Sequence, residues 1–489
     1  MKDNYILGID QSTQGTKALL FDREGKIIGK SYLPHDQIIN ELGWVEHNPE
    51  QIYENVKSVV NLLINETHID ADRIAGIGIT NQRETAVVWD RDTGVPIYNA
   101  IVWQCARGAA ICNRIEQYGE VIQSKTGLPL SPYFSAAKIA WVLENIPGAI
   151  DKSRDGSLCY GTIDTWLLYK LTGGKSYKTD YSNASRTQLF NITELSWDEE
   201  ICERFGINPS CLAEVCDSDS YFGETDFDEK LDRKLPIHCL IGDSHGALFG
   251  QRCLSEGMIK ATYGTGSSIM MNIGPKPAFS DRGLVTSLAW SVNHRVEYVF
   301  EGNINYSGAV ISWLKNDLKL ISKDSETEAL AFQANPSDRT YLVPAFSGLG
   351  APYWRSEAKA VICGMTRLTG QAELVKAALE SIVYQITDIV RLMAEEAQIP
   401  VKELRVDGGP TKNKYLMQFQ SDMLNIPVLV PEMEELSVIG ATLMAGSALG
   451  LYTQEQLSEG MNSRSFQPGL GTEEREERYR GWHNALELV

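Results

Sequence analysis

The stretch "GIDQSTQGTKALLFDREGKII", residues 8–28, reads as two apolar strands around a small polar turn. The turn holds an acid, Asp10, then hydroxyls and a glycine, then a base, Lys17. A surface hairpin needs only turn residues, so an acid and a base at the tip point to something that meets it. A weak echo lies half a chain away. "MIKATYGTGSSIMMNI", residues 258–273, again runs strand, small polar turn, strand, with "GTGSS" at its tip. Two such hairpins suggest two similar domains facing one cleft. Strand-like runs such as "RIAGIGITNQ" (73–82) and "TAVVWD" (85–90) alternate with amphipathic helical patterns over 49–66 and 372–397. That mixture indicates α/β layers.

With 489 residues the chain is long enough for two or three domains. Its net charge is −19 and it has no dense Lys/Arg block, which argues against a nucleic-acid partner or an anionic membrane surface. Positive charge for any anionic ligand must therefore be supplied locally. The nine cysteines are odd in number and form no Cys-x-x-Cys, so neither a disulfide framework nor a zinc site is indicated. The chain enters a strand at once and has no apolar run of about 18 residues, so a soluble cytoplasmic protein is expected. The domain boundary is expected near 245–257, and the acidic segment 218–236 is expected to be a surface excursion.

Several motifs can carry chemistry. Backbone N–H groups in glycine-rich tips cradle phosphate oxygens, although either tip alone also reads as a plain turn. The chain has neither a P-loop nor a dinucleotide Gly-x-Gly-x-x-Gly after a strand. In "HCLIGDSHGALFGQ" (238–251) an apolar run ends at Asp243 and a small-residue helix follows. That carboxylate sits either where ligands gather in α/β folds or simply as a helix cap. Ser244 and His245 beside it do not make a hydrolase triad, because neighbours in sequence cannot reach each other in that geometry. Arg83, Glu84 and Trp103, near the ends of apparent strands, suit a hydroxylated ligand or form a surface ion pair. "LRVDGGPTKNKYLMQFQSDML" (404–424) reads as a strand, an Asp-Gly-Gly turn and a helix.

Together these motifs resemble the FGGY carbohydrate kinases, and the glycerol kinases among them most, over nearly the whole chain. "YFSAAKIAWVL" (133–143) and "AVICGMTRLTGQAELVKAALE" (360–380) match the two family signatures, and "GITNQRET", "SNASRTQLFNI" and "VPAFSGLGAPYW" add further matches in order. The resemblance implies two RNase H-like domains of the actin/hexokinase-type ATPase fold with an interdomain cleft. Residues 1–249 would carry the polyol pocket and the Mg²⁺/phosphate hairpin, and 250–489 the nucleotide. Asp10 and Asp243 would hold Mg²⁺; Thr13, Gln14 and Gly15 would line the ATP phosphates; and Lys17, where these kinases carry arginine, would offset their charge. Thr265 would contact phosphate, and Gly308, Ser312, Gly409 and Asn413 would hold the nucleotide, Ser312 standing where the family has glutamine. Arg83, Glu84, Trp103 and Tyr133 match the polyol pocket, Ser244 would also bind the substrate, and Asp243 matches the general base.

The implied activity is ATP-dependent phosphorylation of a small polyol, glycerol to sn-glycerol 3-phosphate, by a homo-oligomer (dimer or tetramer). Two positions depart from the glycerol kinases. Ser244 replaces a glutamine and Ser268 a phenylalanine, which would widen the pocket for a four- or five-carbon polyol or ketose such as D-xylulose. A third reading, a non-catalytic ATP-switched member of the fold, has no reason to keep a polyol pocket.

Overall fold

Alternating apolar residues form the first hairpin, Tyr5–Gln11 (β1) and Gly15–Phe21 (β2), and the chain continues through Ile27–Pro34 (β3), Pro49–Thr67 (α1) and Ile74–Asn81 (β4). The computed structural model describes residues 4–355, 357–453, 456 and 462–489. There follow Ser135–Asn145 (α2), Gly223–Thr225 (β5), Leu235–Gly242 (β6) and Asp243–Gly250 (α3). The second hairpin is Ile259–Tyr263 (β7) and Ser267–Gly274 (β8), and a third is Val285–Val292 (β9) and Arg295–Ile304 (β10). Then come Gly308–Asn316 (α4), Gln371–Ala397 (α5), Leu404–Asp407 (β11), Lys414–Leu424 (α6) and Val428–Pro431 (β12). Leu436–Ala448 (α7), Ser463–Phe466 (β13) and Thr472–Leu486 (α8) complete the set used below.

The described residues fall into two compact units. The first takes residues within 1–252, 286–298 and 435–459; the second takes 253–285, 299–434 and 460–489.

In the first unit the sheet order is β5-β6-β4-β1-β2-β3. The hairpin partners β1, β2 and β3 are antiparallel, whereas β1, β4 and β6 run parallel. Strand residues Leu7, Ile9, Ile77 and Ile79 are fully buried with Val56 and Val60 of α1 and with Trp166. The parallel strands put their C-terminal ends side by side: Asp10 is level with Thr80, Gln11 with Asn81, and Asn81 with Gly242. Ligands of open α/β sheets bind at such ends.

The second unit's sheet runs β9-β10-β8-β7-β11-β12-β13, with β7–β8 antiparallel and β7–β11–β12 parallel. Part of its β9–β10 hairpin, residues 286–298, groups with the first unit. The strand sequences β3-β2-β1-β4-β6 and β10-β8-β7-β11-β12 correspond, so the echo between residues 5–21 and 258–273 is a structural repeat.

The segment 218–236 is not a surface excursion. Its β5 pairs with β6, and Phe222, Phe227 and Leu231 enter the core. Asp228 accepts hydrogen bonds from Tyr53 Oη at 2.9 Å and Lys57 Nζ at 2.8 Å. The acids dominate the composition, but four apolar side chains, Leu235 with these three, decide where the segment goes.

Helix α7 docks on β1, β4, β6 and α3 at backbone distance. A Cβ on Gly440 would lie 1.9 Å from the Gly246 carbonyl oxygen, one on Gly250 2.1 Å from that of Leu436, and one on Gly78 2.4 Å from that of Ala441. Backbone cannot yield as a side-chain end can, and overpacking of this kind costs about 1–3 kcal/mol or more. Gly440→Ala is therefore expected to lower the unfolding free energy by about 3 kcal/mol in urea titrations. An unchanged midpoint would mean that α7 has room to shift.

Candidate active site

Asp10, Arg83 and Asp243 lie at or just beyond the C-terminal ends of β1, β4 and β6, which is why residues more than 200 apart in sequence converge. Asp10 is 7% exposed, with Lys17 Nζ 3.9 Å away across the hairpin. Burial pushes its pKa up to about 7; Lys17 opposes the rise, and the Asp243 and Glu435 carboxylates add to it. Lys17 is held more closely by Glu435 of the distant C-terminal segment, at 2.7 Å, and Lys30 donates to the same carboxylate. Burial works against the Lys17 charge, but the Glu435 hydrogen bond and the Asp10 carboxylate outweigh it and raise its pKa.

Arg83 Nε lies 3.4 Å from Asp243 Oδ1 and 3.8 Å from Glu84 Oε1, so one guanidinium joins two carboxylates. Glu84 adopts φ +59°, a left-handed conformation costly for a residue with a Cβ. It is fixed by Arg186 Nε at 2.6 Å and, through its carbonyl, by Ser135 Oγ at 3.0 Å. Trp103 Nε1 donates to Thr13 Oγ1 at 3.0 Å, and its ring meets Tyr133 edge-on at 5.6 Å. Buried Lys138 on α2 donates to the carbonyls of Pro132, Tyr133 and Phe134 and so fixes the loop bearing Tyr133. Burial pushes this lysine down to about 7, against the pull of Glu84.

Asp243 is the first residue of α3; the N-cap is Gly242, so the carboxylate is not the helix cap. It accepts a hydrogen bond from the Ser244 N–H at 2.6 Å. His245 is fully buried, with Nε2 3.4 Å from Ser287 Oγ. Gln14 is exposed at the first tip, and Gly15, inside β2, is buried.

In the second unit, Thr265 is exposed at the tip of β7–β8. The N–H groups of Ser307, Gly308 and Ala309 at the start of α4 donate to the carbonyls of Gly264 and Thr265, which locks hairpin to helix. Ser312 is exposed on α4. Gly409 is exposed after β11, and a Cβ there would meet nothing within 4 Å. Asn413 caps α6 through Leu416 N at 3.0 Å and donates to Thr327 Oγ1 at 3.1 Å, so both ends of its amide are engaged within the protein. Ser268 Oγ lies 3.4 Å from buried Glu301 Oε1.

Sequence reading missed Arg186, Lys138 and Glu435 as parts of this machinery. Arg186 and Lys138 stand inside stretches already matched to the family, "SNASRTQLFNI" and "YFSAAKIAWVL". Glu435 is 418 residues from Lys17, and no local pattern signals it.

No group of three or more His, Cys, Asp and Glu side chains suited to a metal is present among the described residues. Mg²⁺ nevertheless fits what is there. It is commonly held by one or two carboxylates with waters and substrate phosphates, and a divalent ion would stabilise the buried Asp10 carboxylate beside that of Asp243.

The two sheets define the two-domain actin/hexokinase-type kinase fold. The chain belongs to the FGGY family of carbohydrate kinases: the model of its N-terminal domain matches residues 5–250 and that of its C-terminal domain residues 259–449. It is thus a kinase, and the family's phosphoryl donor is ATP. The chain is 48% identical to Thermotoga maritima glycerol kinase 1 over 486 residues, covering 99% of each chain. It superposes on Plasmodium falciparum glycerol kinase with ADP at a TM-score of 0.93 and 37% identity, covering 99% of this chain and 98% of that one. It also superposes on a xylulose kinase from Lactobacillus acidophilus at a TM-score of 0.87, with 21% identity and coverage of 99% and 96%. The fold alone therefore does not choose the sugar. No described helix is long and apolar enough to cross a membrane.

The raised Asp10 pKa has a stability consequence. Between pH 3.8 and about 7 the folded state keeps a proton that the unfolded chain has released. This group's contribution to stability is therefore lost as pH rises through that window. In metal-free buffer Asp10→Asn is expected to melt above the parent by a few degrees at pH 8, with the gap shrinking towards pH 5 in calorimetric scans. A constant gap would mean that Asp10 titrates in its ordinary range.

Proposed function

We propose that this kinase transfers the γ-phosphoryl group of ATP to glycerol, giving sn-glycerol 3-phosphate. The observation that carries the reading is the Arg83 guanidinium between Asp243 and Glu84, which ties the proton acceptor to the group that binds hydroxyls. The full-length identity to a glycerol kinase supports it. In this reading Arg83 donates to substrate hydroxyls, Glu84 accepts from them, Trp103 and Tyr133 wall the carbons, and Ser244 lies beside the reacting hydroxyl. Asp243 accepts the proton of the attacking hydroxyl as its oxygen bonds to phosphorus. Asp10 and Asp243 hold Mg²⁺, which when bound neutralises phosphate charge. Thr13, Gln14, Gly15 and Lys17 line the phosphates, and Thr265 also contacts phosphate. Gly308, Ser312, Gly409 and Asn413 serve the nucleotide, the open space at Gly409 leaving room for it.

Residues 1–249 act as the polyol and phosphate domain and residues 250–489 as the nucleotide domain, except that 286–298 and 435–459 group with the first unit. A cytoplasmic homo-oligomer completes the reading, and light scattering tests its oligomeric state.

A second reading rests on Ser244 and Ser268, with the Glu301 carboxylate next to the latter. Here a tetritol or a ketose such as D-xylulose gains room and polar partners. ADP release is measured with Mg-ATP and glycerol, erythritol, ribitol or D-xylulose. Glycerol is expected to give the highest kcat/KM, and a lead of tenfold or more for a longer substrate would favour the second reading. Asp243→Asn is expected to bind ATP normally and lose about 10²–10⁴-fold in kcat. Near-normal turnover would remove the base assignment.

A further inference from the structure

Glu435 has no place in the chemistry above, yet it is one of the best-paired carboxylates beside it. Its side chain is 13% exposed and accepts hydrogen bonds from Lys17 at 2.7 Å and from Lys30. The two lysines come from neighbouring strands, β2 and β3. Their hydrogen bonds overcome the burial of Glu435 and lower its pKa. Glu435 is also the residue from which α7 starts, and α7 is docked at backbone distance on α3 and the sheet. Its carboxylate is therefore anchored from a helix that has no room to slide.

We propose that Glu435 is a positioning residue for phosphate binding, which pins the Lys17 ammonium at the edge of Asp10 and is itself pinned by Lys30. A lysine is a point charge on a flexible four-carbon stem, and fixing it at a phosphate costs rotamer entropy that an arginine fork partly avoids. Glu435 meets that cost before the nucleotide arrives. The pair does not park Lys17 away from the site. While bonded to Glu435, Nζ still lies 3.9 Å from Asp10, with 27% of the side chain exposed. One N–H serves Glu435, and others remain for phosphate oxygens.

The inference rests on the assignment of Lys17 to the phosphates, so the experiment tests the two separately. KM for Mg-ATP, KM for the polyol and kcat are measured for Lys17→Met, Glu435→Gln, Lys30→Met, the double variant Lys30→Met/Glu435→Gln, and Lys17→Arg/Glu435→Gln. Glu435→Gln is expected to raise KM for Mg-ATP about tenfold, with the polyol KM unchanged. Lys30→Met is expected to act in the same direction but more weakly, and the double variant to be no worse than Glu435→Gln alone. Lys17→Arg is expected to restore much of the loss, because the stiffer fork needs less anchoring. Simple electrostatics predicts the opposite sign, since removing a negative charge near phosphates tightens their binding. A lower KM for Mg-ATP in Glu435→Gln therefore overturns the proposal, as does a loss shared equally by both substrates. If Lys17→Met weakens Mg-ATP but Glu435→Gln does not, the positioning role alone fails. An unchanged Lys17→Met removes the phosphate assignment itself, and this inference with it.

Discussion

The first unit depends on one close approach. Helix α7 lies against α3 and the central strands with backbone touching backbone, at Gly440 against Gly246 and at Leu436 against Gly250. Any side chain at these points would push the two helices apart. The consequence reaches the chemistry at both ends of the contact. Helix α3 begins with Asp243, and α7 begins beside Glu435, which grips Lys17. A segment nearly two hundred residues downstream of α3 thereby helps to fix Asp243 and Lys17.

Around that contact, the sheet delivers the reactive groups. Three parallel strands end level with one another, and each passes directly into a residue or turn of the candidate site. Glycines keep the strands and helices close, and buried polar pairs then set the side chains. Arg186 fixes Glu84, Lys138 fixes the Tyr133 loop and Trp103 ties to Thr13. Desolvation is the electrostatic counterpart of this packing. It raises the pKa of Asp10 and lowers that of Lys138, and at Asp10 a nearby cation would offset the cost. Stability lost at such groups is a common feature of sites built for binding.

The second unit repeats the strand order with different chemistry at the tip. There the carbonyls of Gly264 and Thr265 are already engaged by the start of α4, so the helix N-terminus is committed to holding the hairpin. Asn413 is likewise committed to capping α6 and to Thr327. The backbone at Gly409, by contrast, is exposed, and a Cβ there would meet nothing within 4 Å. Its C-terminal helix α8 is tied down by Asp388, which accepts from Tyr353, Tyr479 and Trp482 at 2.6, 2.5 and 2.7 Å.

Hairpins, helices and family were legible in the sequence because they are written locally. Strand alternation, the Gly/Ser/Thr tips and the long matched stretches each occupy a few dozen residues or fewer. The repeat of two hairpins could be read at the same level, and so could Asp10, Arg83, Glu84 and Asp243 as candidates. What the sequence by itself did not decide was partnership. The acidic segment 218–236 reads as surface because composition hides the four buried apolar residues that fix its path. From sequence Asp243 reads equally as a cap or as a ligand-facing acid; in the fold the N-cap is Gly242. The Lys17–Glu435 pair spans 418 residues, and only folding α7 back onto the first sheet brings the two charges within 2.7 Å. The sequence determined the elements and their chemistry. Tertiary packing decided which charges meet, because burial and distance, which set electrostatic strength, exist only once the chain has closed on itself.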